Sequence, residues 1–204
     1  MTLAYIWNRV LKKLRGAAVS NSSIHHTSKV EAGSQVVNSR MDKYSYCGYD
    51  CKINNCEIGA FCSIADRVII GGAQHPLEWV STSPVFYSGR DSVKTKFQEF
   101  NRPDDQHTHI GNDVWVGDSV IIKAGISIGD GAIVGMGSVV TKSIGPYEIW
   151  AGNPARFIRN RFSKEIADEL LASKWWDAPE RLLSIASAEI RDPESFIKEL
   201  YKGK

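Results

Sequence analysis

The chain has 204 residues, which suits one domain with a terminal extension, and its formal net charge is +2. This near balance gives no strong electrostatic argument for a nucleic-acid partner. No apolar run is long enough to span a membrane, so no transmembrane segment is expected.

The first fifteen residues predict an amphipathic helix with basic residues among and beyond its apolar positions. Two interpretations are open: the helix packs on the rest of the protein or a neighbouring subunit, or it lies on an anionic membrane as a peripheral contact. No signal cleavage pattern follows, which favours a cytoplasmic location. The apolar positions are Leu3, Ile6, Trp7, Val10, Leu11 and Leu14.

A six-residue repeat of aliphatic residues begins after this helix, at Ile24, and then loosens over residues 40–51. The loose part is rich in tyrosine, so we expect it to interrupt a regular structure. The repeat resumes at Ile58. Its early members are Ile24, Val30, Val36, Ile58, Ile64 and Ile70, and the tyrosines are Tyr44, Tyr46 and Tyr49.

The four cysteines lie close together, between residues 47 and 62. Their spacings contain no CxxC pair, which argues against a zinc site. Cys56 and Cys62 stand at positions of the repeat where small inward residues belong. The cysteines are therefore predicted to be buried free thiols in a reducing compartment.

The longest break in the repeat covers residues 71–109, between Ile70 and Ile110. It begins with Gly71 and Gly72 and continues into a charged polar run that ends at Asp105. A compact domain rarely carries so long an insertion unless it serves a function. We therefore expect an ordered active-site loop, anchored by Trp79, Pro84, Phe86 and Phe97.

From Ile110 to Val140 the repeat is strict. Six is a multiple of the strand period but not of the helical period, so only an extended chain keeps these residues on one side. Gly and Asp or Asn follow the aliphatic positions and supply corners, which predicts short strands wound into a parallel β-solenoid. The strict positions are Ile110, Val116, Ile122, Ile128, Val134 and Val140, with Val114, Val120, Ile126, Ala132, Ser138 and Ile144 in the second series.

Helices are predicted after the repeat. Ser163 is a suitable N-cap for a first helix that ends near residue 174, a second is expected over residues 179–190, and Asp192 with Pro193 would open a third. The adjacent Trp175 and Trp176 are interpreted as packing anchors.

These features resemble the hexapeptide-repeat acyltransferases, whose fold is a left-handed parallel β-helix. The resemblance supplies the left hand, since the repeat period does not fix it. The implied fold is mainly β, with an N-terminal helix, one long protruding loop and C-terminal α-helices. The implied division is an N-terminal helix over residues 1–19, an acyltransferase domain over 20–150 with the loop 71–109, and a helical extension over 151–204.

Transfer of an acyl group from a thioester to a hydroxyl requires a general base. Among five histidines, His75 stands out because it follows the glycines that open the long loop, and His107 and His109 are the best rivals. Residues 74–79 (QHPLEW) and 81–84 (STSP) are similar to the histidine loop of the xenobiotic acetyltransferase branch. The resemblance implies that His75 is the base, and Glu78 is a candidate orienting carboxylate.

Coenzyme A brings phosphates that require cations, and Lys142, Arg156, Arg159 and Arg161 form a cationic group at the end of the repeat. A solvated charged surface is the alternative. In the related galactoside acetyltransferases, contact positions for the coenzyme match Thr141, Lys142, Arg156 and Arg159. Further matches are Asp118 and Met136, where the residue type differs, and Trp115, which lies near the pantetheine in that family.

The implied function is an acetyl-CoA-dependent O-acetyltransferase that needs no metal and forms no covalent enzyme intermediate. We expect a carbohydrate acceptor, with an antibiotic such as chloramphenicol or a streptogramin as the alternative. A non-catalytic scaffold and an amino-sugar N-acyltransferase also remain open. Family members are trimers with active sites between subunits, and the residues expected to touch the acceptor or pack at that boundary are Tyr44, Tyr46, Tyr49 and Trp79.

Overall fold

The computed structural model describes residues 2–72, 74–89, 93–102 and 106–202; Ala73 and Asp105, which belong to the predicted loop, lie outside the described residues. Short strands with four α-helices make up the described secondary structure. The strands are β1 (Ala18–Ser20), β2 (Ser23–Ile24), β3 (Lys29–Val30), β4 (Gln35–Val37), β5 (Arg40–Met41), β6 (Tyr46–Cys47), β7 (Lys52–Asn54), β8 (Cys56–Ile58), β9 (Ser63–Ile64), β10 (Ile69–Ile70), β11 (Thr108–Ile110), β12 (Trp115–Val116), β13 (Ile121–Ile122), β14 (Ser127–Ile128), β15 (Ile133–Val134), β16 (Val139–Val140), β17 (Glu148–Gly152) and β18 (Ala155–Asn160). The helices are α1 (Leu3–Leu14), α2 (Lys164–Ser173), α3 (Glu180–Ala186) and α4 (Pro193–Lys202), with 3-10 turns at Pro84–Phe86, Trp175–Asp177 and Ser187–Glu189.

The strands form a parallel β-solenoid with three faces. The first face has the order β1-β4-β7-β10-β13-β16, the second β14-β11-β8-β5-β2, and the third β18-β17-β15-β12-β9-β6-β3. Among the strands of the described residues, β17 and β18 are the one pair that is antiparallel. We call the turn from first to second face the first corner, from second to third the second corner, and from third to first the third corner.

The strict repeat fills the interior, as predicted. Ile122, Val116 and Val134 are fully buried, and the members of the second series are buried as well. Each inward residue lies directly over its counterpart in the next coil, for example Ile70 over Ile122 and Ile122 over Val140. Stacked aliphatic side chains thus form one continuous hydrophobic core.

The expected interruption over residues 40–51 is wrong, because the solenoid continues through it as β5, β6 and β7. Met41 lies over Ile24 with Ile58 on its other side, and Met41 is buried. Coils in this part contain 17 residues, whereas the coil from Asn112 to Asp130 contains 18. The missing residue falls at the first corner, where Asn38 and Asn55 adopt positive φ and make a tighter turn.

The prediction of buried free thiols is confirmed, since Cys47, Cys51, Cys56 and Cys62 are free and buried. Cys47 and Cys62 lie in the same continuous core as the aliphatic residues. Burial raises the pKa of Cys62 to about 12, and it also raises the pKa of Cys56. Both therefore remain protonated thiols at neutral pH.

The C-terminal helices form a second, smaller core beside the solenoid, where Phe196 and Leu200 are buried. Ser163 caps α2 as predicted, whereas α3 ends at Ala186 and continues as a 3-10 turn instead of reaching residue 190. Trp176 is buried, and the Trp175 ring lies 4.8 Å from Phe61 of the solenoid, which confirms these tryptophans as packing anchors.

The N-terminal helix α1 buries none of its residues. Basic side chains at its C-terminal end contact the solenoid: the Lys12 ammonium lies 3.7 Å from the centre of the Tyr49 ring, and the C-cap residue Arg15 pairs with Asp50. Among the described residues, no helix has the length and apolar character needed to cross a membrane.

Candidate active site

The long loop leaves the solenoid at the first corner, directly after β10, and its described parts are held by internal contacts. The Lys96 ammonium donates hydrogen bonds to the carbonyls of Pro84, at 2.8 Å, and Tyr87, at 3.0 Å. The backbone N–H of Ser88 donates to the Phe100 carbonyl at 2.9 Å. These contacts join the outgoing and returning parts of the loop and order it around the buried Tyr87.

His75 has one ring nitrogen fixed by the loop and the other available. Its Nδ1 lies 2.7 Å from the Thr82 carbonyl oxygen and 3.0 Å from the Tyr87 hydroxyl. A carbonyl oxygen can only accept, so Nδ1 donates to it, and the neutral imidazole carries its lone pair on Nε2. Because His75 is exposed, that lone pair is accessible to a substrate hydroxyl.

An apolar cavity of about 710 Å³ opens within the loop; His75 is not among its lining residues and is connected to it through Tyr87. Trp79 forms one wall and packs edge-on against Tyr87, with 6.2 Å between ring centroids, and the Tyr87 hydroxyl contacts His75. Glu78 also lines the cavity, but no hydrogen bond joins it to His75 within the described part of the chain. The partners of Nδ1 are therefore Thr82 and Tyr87, neither of which the sequence had marked.

The rival histidines lie elsewhere. His109 is on β11 of the second face and His107 just precedes it, at the returning end of the loop. His25 and His26 stand together at the second corner, where His25 Nδ1 lies 2.9 Å from the Thr27 hydroxyl. Within the described residues, His75 is the histidine of the outgoing part of the loop, whereas His107 stands at its returning end.

Five of the predicted coenzyme residues lie on the third face or at the third corner, and Trp115, Asp118 and Met136 are three of them. Trp115 projects from β12 and is 51% exposed, and Met136 is 77% exposed. Asp118 and Met136 belong to successive coils, because the Gly137 N–H donates to the Asp118 carbonyl at 2.8 Å. The Asp118 carboxylate is already engaged by Arg67, at 2.8 Å, so its side chain holds the solenoid together.

Thr141 and Lys142 follow β16 and lie at the first corner, on the same side of the solenoid as the loop. Val140 stacks on Ile122, and Ile122 stacks on Ile70, the last residue before the loop. The exposed Thr141 and Lys142 therefore lie on the same corner as the start of the loop, two coils further along the solenoid. Arg156 and Arg159 are exposed on β18 of the third face, and each donates to a neighbouring backbone carbonyl. One chain therefore divides its predicted coenzyme residues between the first corner on one side and the third face with its corner on the other.

Arg161, included in the predicted cationic group, has a different role. Its guanidinium donates to Asp113 at 3.0 Å and to the Gly131 carbonyl at 2.6 Å. Burial raises the pKa of Asp113, while the nearby Arg161 opposes that rise. We therefore assign Arg161 to joining the solenoid and the helical extension, and not to binding phosphate.

The three tyrosines proposed for the acceptor occupy three different places. Tyr44 lies at the second corner, where its hydroxyl contacts Glu180 of α3 and its ring lies 4.9 Å from Phe61. Tyr46 is exposed on the third face, and Tyr49 lies at the third corner beneath Lys12. A single chain does not bring them to His75, whereas Trp79 reaches it through Tyr87.

Comparison with known proteins gives consistent results. Residues 107–142 match the family described as bacterial transferase hexapeptide (six repeats). A probable macrolide acetyltransferase of Lysinibacillus sphaericus is 44% identical over 124 residues, which are 59% of this chain and 68% of that protein. A chloramphenicol acetyltransferase of Escherichia coli is 44% identical over 126 residues, 60% of this chain and 59% of that protein. The matched region thus spans three fifths to two thirds of these relatives.

Among solved structures, the fold is similar to AntD, an N-acyltransferase from Bacillus cereus crystallised with dTDP-4-amino-4,6-dideoxyglucose and coenzyme A. The TM-score is 0.58 at 21% sequence identity, and the match covers 81% of this chain and 96% of AntD. At this identity the likeness concerns the fold alone.

Proposed function

Because the chain belongs to the hexapeptide-repeat acetyltransferases, in the branch that includes the chloramphenicol and macrolide enzymes, we propose that it transfers the acetyl group of acetyl-CoA to a carbohydrate hydroxyl, with His75 as the general base. The observation that carries this proposal is the 2.7 Å contact between His75 Nδ1 and the Thr82 carbonyl oxygen. Because the carbonyl can only accept a hydrogen bond, Nδ1–H donates to it, and the lone pair on Nε2 is able to remove a proton from an alcohol.

In this mechanism Nε2 accepts the proton of the acceptor hydroxyl while its oxygen attacks the thioester carbonyl. The tetrahedral intermediate collapses with cleavage of the carbon–sulfur bond, and His75 returns the proton to the departing thiolate. Thr82 keeps its hydrogen bond throughout, so it stabilises the imidazolium formed in the first step. A backbone N–H is expected to face the developing oxyanion. No covalent enzyme intermediate and no metal take part.

The donor is assigned to the exposed cations at the end of the solenoid. Lys142, Arg156 and Arg159 suit the phosphates of coenzyme A, since their charged ends are free of acidic partners within the described residues. Trp115 offers an exposed apolar ring to the pantetheine arm. Backbone contacts are proposed for Asp118, whose carboxylate is engaged, and for Met136.

The carbohydrate acceptor is supported by the cavity in the loop that carries His75. Trp79, Phe86 and Phe100 offer aromatic faces on which the apolar side of a sugar ring can pack, while Glu78 and Asn101 can hydrogen-bond hydroxyls. The same cavity favours an antibiotic as the second candidate, because its lining is mainly apolar and the similar sequences include antibiotic acetyltransferases.

The acceptor can be identified by measuring thiol release from acetyl-CoA with a panel of sugars, nucleotide sugars, chloramphenicol, a macrolide and a streptogramin. We expect turnover with a carbohydrate and only background release with the antibiotics. Matched amino sugars test the N-acyltransferase alternative, since a deoxyamino sugar that outperforms its hydroxyl counterpart would contradict O-transfer. Turnover confined to an antibiotic would replace the carbohydrate proposal and keep the mechanism.

We also propose a homotrimer in which the loop of one subunit meets the third corner of its neighbour. This arrangement would bring the two groups of coenzyme residues together, which one chain does not do. Large exposed apolar side chains support it, since such surface is usually covered by a partner. They are Leu77, Val80, Phe97 and Phe100 on the loop and Ile69, Ile121 and Trp115 on the faces. Sedimentation velocity that gives a single-chain mass would count against it.

A cytoplasmic location at the inner face of a membrane is the last part of the proposal, and it rests on α1. The apolar face of this helix is exposed along its whole length, while Lys12 and the C-cap residue Arg15 contact side chains at the third corner. An exposed apolar face flanked by Arg and Lys suits the interface of an anionic membrane.

We expect the full chain to float with vesicles that contain phosphatidylglycerol and to stay behind with neutral ones. Trp7→Glu should abolish flotation, because it removes the largest ring of the apolar face. Asn8→Glu is the matched control, since it makes the same charge change on the polar face and should retain most of the binding. Equal loss in both variants, or no flotation of the wild type, would instead favour α1 as a contact between subunits.

A further inference from the structure

A group of metal-binding side chains lies on the second face, away from His75. Glu57 on β8 and His109 on β11 are paired in register, so their side chains project side by side. His107 precedes His109 by two residues and projects to the same side, with 4.8 Å between the two ring centroids. One ligand atom from each of the three residues lies within 4.8 Å of the others, and all three are exposed.

We propose that Glu57, His107 and His109 form a binding site for a divalent transition-metal ion of the Zn²⁺, Ni²⁺ or Cu²⁺ type. Two imidazoles and a carboxylate are the ligands that these ions take from proteins, whereas Mg²⁺ and Ca²⁺ prefer oxygen. Bonds of about 2.0–2.2 Å bring ligand atoms somewhat closer together than they lie here. Rotation of three exposed side chains supplies that movement without a change in the backbone.

The existing contact between Glu57 and His109 explains only part of this arrangement. Glu57 Oε2 lies 3.3 Å from His109 Nδ1, a distance that suits an ion pair with a protonated ring. His107 takes no part in that ion pair, yet its ring lies next to the His109 ring. Arg40 is the register neighbour of Glu57 on its other side, but within the described residues it forms no ion pair with Glu57. The carboxylate is therefore free to turn toward both imidazoles.

Binding would have a structural consequence for the loop. His107 stands at the returning end of the loop, directly before β11, and Glu57 belongs to a strand of the preceding coil. An ion shared by the two would fix this end of the loop to the solenoid. Three protein ligands leave coordination positions for water or for a donor from another molecule. The site is separate from the acetyl-transfer chemistry proposed for His75.

The test is calorimetric titration of the chelator-treated full chain with ZnCl₂. We expect one Zn²⁺ per chain with micromolar affinity, and a weakening of about tenfold or more in each of His107→Ala, His109→Ala and Glu57→Gln. His25→Ala is the matched control, because His25 and His26 also have stacked rings, 4.3 Å apart, but belong to no such group among the described residues. It should bind Zn²⁺ as the wild type does.

Anomalous diffraction at the zinc edge gives a second measurement that needs no variant. A peak within coordination distance of Glu57, His107 and His109 supports the site. Absence of calorimetric binding at millimolar Zn²⁺, or equal affinity in His109→Ala and the wild type, would overturn it. The four cysteines do not confuse the measurement, since their thiols are buried in the native chain.

Discussion

Replacing His75 with alanine is expected to lower kcat for acetyl transfer by roughly 10²–10⁴-fold, the range that a positioned general base contributes. The loss should appear with little change in the KM for acetyl-CoA, because His75 is on the loop and the proposed phosphate ligands are on β18 and after β16. Thiol release with the best acceptor from the panel measures it. The solenoid should fold as in the wild type, since the ring is exposed and lies outside the solenoid core; within the loop, the buried Tyr87 loses one hydrogen-bond partner.

His26→Ala is the control for this prediction, because His26 is an exposed histidine on an ordinary coil at the second corner. It should retain full activity. A loss of less than about threefold in His75→Ala would contradict the assignment, since a lost base costs far more. The tautomer argument would then fail with it, and His107 and His109 would be the next residues to test.

The regular part of the fold could be predicted because its information is local. Between Ile110 and Val140 every coil has 18 residues, three times six, so the inward positions recur at a constant six-residue spacing in the sequence. The same six-residue repeat could not be followed over residues 24–58, because each coil there is one residue shorter. A search for a fixed six-residue period therefore finds a break at each shorter coil. In the structure the coil is continuous, because a tight turn at Asn38 or Asn55 makes up for the missing residue.

For the candidate site, the sequence could indicate which side chains to consider but not the contacts that they make. His75 and the loop could be located from the sequence, but its orienting group is the Thr82 carbonyl, which leaves no side-chain signature. Arg161 was misassigned because its charge is visible in the sequence and its partner, Asp113, is 48 residues away. The tyrosines are neighbours in sequence, yet a triangular coil sends successive residues to different corners.

The start of the loop offers the second large effect, through Gly71. This residue has φ +77°, and a Cβ added to it would lie 2.2 Å from the Asn54 carbonyl oxygen. Its own N–H donates to Ile122 of the next coil at 3.0 Å, so the backbone is held from both sides. Gly71→Ala therefore combines the cost of a left-handed conformation, about 1–2 kcal/mol, with a steric clash against backbone that cannot move freely.

We expect Gly71→Ala to reduce the free energy of unfolding by about 3 kcal/mol or more, one of the larger effects of a single substitution. For a chain of this size that corresponds to a fall in Tm of about 6–12 °C. The displaced corner also moves the loop that carries His75 four residues later, so kcat should fall even at temperatures where the variant is folded. Thermal denaturation and thiol release measure the two effects separately.

Gly16→Ala separates the conformational cost from the clash. Gly16 has φ +63°, close to that of Gly71, but a Cβ there meets no atom within 4 Å, and the residue lies between α1 and β1, outside the loop. It should lose only about 1–2 kcal/mol and keep the wild-type kcat. If both variants show the same decrease in the free energy of unfolding and Gly71→Ala keeps its activity, the backbone at this corner can move to relieve the clash. The corner would then not determine the position of His75. A larger loss of both quantities in Gly71→Ala would instead connect the tight stacking of this coil to the geometry of the catalytic loop.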